Sequence, residues 1–149
     1  MALLREQDRI YKTPEDICSH LGDDYASWLG AVNPPIYQTN FINDTRSALD
    51  LIDAVDSEGF RLNLDLGTMI ALQEDLTVLE GRCNAINHVH ISEPGLKPLQ
   101  ERSIHSDLAA WLRKEKYRKF VSIEVGKQEN VSDLADMMCY VRKVFGDQK

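Results

Sequence analysis

From residue 44 onward, apolar and polar positions follow two clear periods. Ala48, Leu51, Ile52 and Val55 recur at helical spacing behind Asp44 or Thr45, either of which suits an N-cap, and Ser57-Glu58-Gly59 breaks the run. Phe60, Leu62, Leu64 and Leu66 then alternate strictly with Arg61, Asn63 and Asp65, which predicts a strand. Gly67 ends it, and a helix is expected from Met69 to about Glu80. Ala85 to Ser92 reads as a second strand, with Asn87, Val89 and Ile91 on one face and Ile86, His88, His90 and Ser92 on the other. A turn-rich loop runs from Glu93 to Pro98. Ser106 is the expected cap of a helix that turns Leu108, Trp111 and Leu112 inward. Phe120 to Val125 is the third strand, with Val121, Ile123 and Val125 opposite Phe120, Ser122 and Glu124. Ser132 is expected to cap a last helix with Leu134, Met138, Val141 and Phe145 along one stripe and Gly146 after its end. Thr13-Pro14-Glu15-Asp16 starts a short helix closed by Gly22, and Asp23 to Gly30 reads equally as a second short helix or a strand entry, so residues 1–30 form a short N-terminal helical segment with no assigned role.

Helices and strands alternating at these lengths predict βαβ units, a parallel sheet and an α/β fold. Length then narrows the choice. A complete (β/α)8 barrel needs about 200 residues or more, and this chain has 149.

Charge and cysteine content remove several classes of function. The net charge of −7 argues against a nucleic-acid or anionic-membrane partner, since phosphate binders carry a basic excess. No apolar run approaches the roughly 18 residues of a membrane span, and the N-terminus lacks a signal core. Cys18, Cys83 and Cys139 are odd in number and widely spaced, which excludes a disulfide framework and sets a reducing cytoplasm as the expectation.

In a parallel sheet the chemistry gathers at the carboxyl ends of the strands. Each strand places one metal-ligating side chain there, on its polar face: Asp65, His90 and Glu124. Two carboxylates and an imidazole suit a divalent cation such as Mn²⁺, Co²⁺, Mg²⁺ or Zn²⁺. Each also has a plainer role open to it. Asp65 can cap the following helix, His90 can be a satisfied core histidine with His88 sharing its role, and Glu124 can be a solvated loop acid.

Several separate motifs resemble one family. They are Asn33-Pro34-Pro35-Ile36-Tyr37, Phe60-Arg61-Leu62-Asn63-Leu64-Asp65-Leu66-Gly67-Thr68-Met69, His88-Val89-His90-Ile91-Ser92-Glu93-Pro94-Gly95-Leu96-Lys97-Pro98-Leu99, His105, and Val121-Ser122-Ile123-Glu124-Val125. In order and spacing they resemble the C-terminal half of sugar phosphate isomerase/epimerase proteins, of the xylose isomerase-like TIM-barrel superfamily. The resemblance implies a partial (half) TIM-type (β/α) barrel over residues 31–149, with parallel strands and flanking helices. It implies Asp65, His90 and Glu124 as the ligands of a divalent metal, and Glu124 also as the acid/base in epimerisation of a keto sugar. His88 and Glu93 are the candidate substrate contacts, and the substrate is a sugar or sugar phosphate.

Two positions depart from the family. Ala31 stands where a strand-five Glu would supply a further ligand and the second acid/base, and Thr68 replaces a substrate-contacting His. A metal-assisted isomerase or epimerase is therefore one expectation. The other is a degenerate or truncated half-barrel without catalysis, acting as a homo-oligomer or as the partner of a complementary half. A multi-zinc endonuclease of the same superfamily is disfavoured by four histidines and the negative charge.

Overall fold

The computed structural model describes residues 42–146, together with the backbone pairing of 5–6 and 9–10. β1 (Arg5–Glu6) and β2 (Arg9–Ile10) form a short antiparallel pair. The remaining expectations for residues 1–41, including Ala31 and the Asn33-Pro34-Pro35 motif, lie outside the described residues.

The described core alternates as the sequence predicts. α1 (Thr45–Val55) leads to β3 (Leu62–Asp65), α2 (Leu66–Leu72), β4 (Ile86–Ile91), α3 (Ser103–Lys114), β5 (Phe120–Ile123) and α4 (Val131–Phe145). The three main strands form one parallel sheet in the order β3-β4-β5. Leu62, Leu64, Val89 and Ile91 are almost wholly buried on its aliphatic face, each contributing about 1.5–3 kcal/mol by leaving water. Helix α1 starts as expected, with Asp44 accepting a hydrogen bond from Ser47 N at 2.7 Å and so satisfying one of the open N–H groups of its first turn.

Several boundaries move. The helix expected from Met69 to Glu80 begins earlier and is broken. Asp65 caps α2 at its start, Gln73 closes it in a left-handed conformation, and a separate 3-10 turn follows at Leu76–Leu79 under an Asp75 cap. Helix α3 begins at Ser103 rather than at Ser106, directly after Arg102. Helix α4 is preceded by Asn130, so Ser132 lies within its first turn and is not the cap.

One facing assignment is also corrected. The pairing of β3 with β4 shifts between Leu62 and Asn63, so that Leu62 lies opposite Ile86 and Asn63 opposite His88. This irregularity turns Ile86 to the aliphatic side, where it is fully buried, and leaves Asn87 exposed. In α4, Met137 and Val141 are buried, whereas Leu134 and Met138 of the expected stripe are 38% and 62% exposed. The stripe is apolar as read, but among the described residues little covers it.

Candidate functional site

The sheet register assembles the polar face. Asp65 lies opposite His90, and His90 opposite Ser122; one step toward the amino ends, Asn63, His88 and Phe120 are aligned in the same way. Glu124 follows β5, and its N–H continues the ladder to Ile91 O at 3.0 Å. The three expected ligands thus sit on neighbouring strands at the carboxyl ends.

Their bonding differs in kind. His90 Nδ1 meets Glu124 Oε2 at 2.8 Å, and His90 Nε2 lies 3.3 Å from Asn63 Nδ2. Asp65 is buried and bonded to other partners: its Oδ1 accepts from Ser92 Oγ at 2.6 Å and from Thr68 N at 3.0 Å. Asp65 is therefore a helix cap, as its position at a strand end allowed. Burial raises its pKa above the ordinary aspartate value, against the lowering effect of the Ser92 and Thr68 bonds. The Glu124 charge raises it further and His90 lowers it, which places all three groups within one electrostatic neighbourhood.

The donor types suit a divalent cation. The positions are those of a hydrogen-bonded His–Glu pair beside a helix cap, and among the described residues no three His, Cys, Asp or Glu side chains are grouped as a metal cluster.

Of the two expected substrate contacts, His88 faces this floor. Its Nε2 is 2.8 Å from Ser122 Oγ, and its ring stands edge-on to that of His90 with centroids 4.6 Å apart. Burial, then the neighbouring His90, lowers the His88 pKa. Glu93 is held elsewhere. Its side chain is 3% exposed, with Arg102 donating Nε to Oε1 at 2.7 Å and Nη2 to Oε2 at 2.6 Å, and Gln100 N also bonds Oε1. The pair pins the loop after β4 to the start of α3. Leu96, in that loop, adopts a left-handed φ of 55° and accepts a bond from Gly126 N at 2.8 Å, tying the β4 and β5 loops together.

Three partners of the candidate residues were not read from the sequence: Asn63 and Ser122, which bond His90 and His88, and Ser92, which bridges Gly67 N and Asp65. Their signal was present in the strand period, since Asn63 and Ser122 each lie two residues before an assigned ligand on the same face.

Among the described residues no helix is long and apolar enough to cross a membrane. The sequence matches no protein-family model and no curated protein. Solved structures do match. The 3-keto-D-glucoside 4-epimerase of E. coli, in apo form, aligns with a TM-score of 0.61 at 22% identity, over 72% of this chain and 42% of that one. The D-psicose 3-epimerase of Clostridium cellulolyticum H10 with D-tagatose aligns at 0.61 and 14% identity, over 73% and 46%. A D-psicose 3-epimerase in the presence of D-fructose aligns at 0.68 and 13% identity, over 97% and 61%. The chain carries part of a sugar-epimerase barrel fold. It spans between 42% and 61% of the length of these three proteins. The half-barrel expected from the motifs and the fold found by comparison agree.

Proposed function

We propose that the polar face of β3, β4 and β5 is a keto-sugar site of the epimerase kind, in which Glu124 carries the proton at the carbon beside the carbonyl. The observation that carries this reading is the 2.8 Å contact of His90 Nδ1 with Glu124 Oε2, level with Asp65 on the same face. Asp65, His90 and Glu124 are the residues that would hold a divalent cation such as Mn²⁺, Co²⁺, Mg²⁺ or Zn²⁺. Such a cation would supply polarisation of the ketose carbonyl and hydroxyl oxygens. Ser92 and Thr68 fix the Asp65 carboxylate, and Asn63 fixes the far side of the His90 ring. His88 and Ser122 offer hydrogen-bonding groups to sugar hydroxyls. Glu93 serves the site indirectly, by holding the loop that borders it. The ligand class is a sugar or sugar phosphate, in line with the keto sugars named with the similar structures.

Turnover by this chain alone is expected to be weak. Ala31 replaces the second acid/base of the resemblance, and one positioned acid/base contributes roughly 10² to 10⁴ in rate. A second reading is an associating half-barrel without catalysis, favoured by Val131, Phe120 and Met138, which are 82%, 76% and 62% exposed.

The test combines calorimetric titration with Mn²⁺, Co²⁺, Mg²⁺ and Zn²⁺ and NMR of a ketose panel containing D-fructose and D-tagatose. Near-stoichiometric metal uptake that disappears in Glu124→Gln supports the site. No uptake together with no ketose-dependent change at the histidine resonances would overturn it.

A further inference from the structure

We propose that a second copy of this chain docks along the open groove between β5 and α4, with its acidic α1 side meeting the basic turn after α3. The proposal rests on the associating half-barrel reading and names its surfaces.

The groove is built from the stripe that sequence periodicity marks for burial. Val121, Ile123, Met138, Val141 and Phe145 line an open cavity of about 480 Å³. Among the described residues β5 pairs only with β4, and the outer edge of such a strand presents backbone N–H and C=O groups suited to pairing. A second cavity of about 390 Å³ shares Val121 and Phe145 and continues the groove toward the turn after α3.

Charge identifies the occupant. Residues 113–119 hold Arg113, Lys114, Lys116, Arg118 and Lys119 in a chain whose net charge is −7. Arg113 is spent on Val144 O and Lys119 on Ile86 O, whereas Lys116 and Arg118 are exposed and in no ion pair among the described residues. Among the described residues the sheet order sets β3, against which α1 packs, at the opposite side from β5. That side is acidic on balance: Asp50, Asp56 and Glu58 are exposed and in no ion pair among the described residues, against Arg46, Arg61 and Arg82, of which Arg82 is bonded to Asp53.

Among the described residues the β5 side is therefore basic and open, and the β3 side is acidic. Two copies related by a two-fold axis along the strands bring each basic edge against an acidic edge, and the assembly closes. The alternative of β5 against β5 sets one basic turn against another, which like-charge repulsion disfavours.

The experiment is light scattering and sedimentation of the full chain over a concentration series at low and high salt. The variants are Met138→Lys, Lys116→Glu with Arg118→Glu, and Asp50→Lys with Asp56→Lys, each checked for fold by circular dichroism. All five positions are exposed, so the fold is expected to persist. The expected result is a dimer whose Kd rises at least about tenfold in each variant and rises with salt. An equimolar mixture of the two charge-reversed proteins should form a heterodimer. A monomer throughout the series overturns both this proposal and the associating reading. A dimer whose Kd is the same in all the variants overturns the docking surface alone and leaves the associating reading standing.

Discussion

His90 and Glu124 bond across β4 and β5, Nδ1 to Oε2 at 2.8 Å, while Asp65, in register with His90 on the other side, accepts at Oδ1 from Ser92 Oγ and Thr68 N. One strand-end acid is thus engaged with the imidazole, and the other with the backbone that starts a helix. The cap that Asp65 provides and the metal ligation proposed for it can be separated experimentally.

Asp65→Ala removes the cap of α2 and leaves Ser92 Oγ without its acceptor, so a loss of about 1–3 kcal/mol is expected in urea unfolding. Asp65→Asn keeps an acceptor oxygen for both donors and removes a buried charge that its raised pKa marks as costly. Its stability should stay within about 1 kcal/mol of the parent, with metal affinity lost in calorimetry. Equal destabilisation by both substitutions would show that the charge itself holds the fold.

Gly67 sits where α2 leaves the sheet. A Cβ there would meet Ser92 Oγ at 2.7 Å and the Glu93 carbonyl carbon at 3.0 Å. Gly67→Ala should therefore cost about 1–3 kcal/mol by overpacking and displace the hydroxyl that holds Asp65. Thermal melts check the first effect and metal titration the second.

Arg102→Met leaves the Glu93 carboxylate buried without its cation. Breaking a buried pair costs about 3–5 kcal/mol, but the Arg102 side chain is 37% exposed and water can reach the gap, so about 2 kcal/mol is the expected loss. Adding Glu93→Gln removes the stranded charge while keeping an acceptor for Gln100 N, and should restore part of the loss. A double variant no more stable than Arg102→Met would argue that the pair holds the loop by shape and not by charge.

His105 is fully buried between α3 and α4, with Nδ1 2.9 Å from Tyr140 Oη and Nε2 without a hydrogen-bond partner. Burial lowers its pKa below the ordinary 6.5, with Glu93 opposing and Arg102 assisting. The unfolded chain then binds the proton more readily than the native one. Stability from this group is fully present above about pH 6.5 and is lost as pH falls through the lower native value. Melting temperature between about pH 7 and 5 should fall less steeply in His105→Phe than in the parent. Parallel profiles would remove His105 as the source.

Much of this was readable along the chain because helix and strand periods, caps and breakers act over a few residues. Leu62 and Leu64 against Asn63 and Asp65 determine which face of β3 is apolar, and Asp44 determines where α1 starts. Ile86 shows where local reading fails: its face depends on a shift in pairing with Leu62, a relation between residues 24 positions apart. Helix α3 shows the same limit. Arg102, clamped by Glu93, lies directly before the helix, whereas Ser106 had the better local signal.

The sequence by itself determined the alternation of elements, the parallel α/β fold and the placement of Asp65, His90 and Glu124 at strand ends, because each follows from nearest-neighbour sterics and side-chain period. Tertiary structure alone decided which carboxylate His90 meets, that Glu93 pairs with Arg102, and that Leu134 and Met138 of the α4 stripe stay exposed. Those outcomes depend on distances through space between segments separated along the chain, from nine residues for Glu93 and Arg102 to 34 for His90 and Glu124, and periodicity marks a side chain as fit for burial without stating what will cover it.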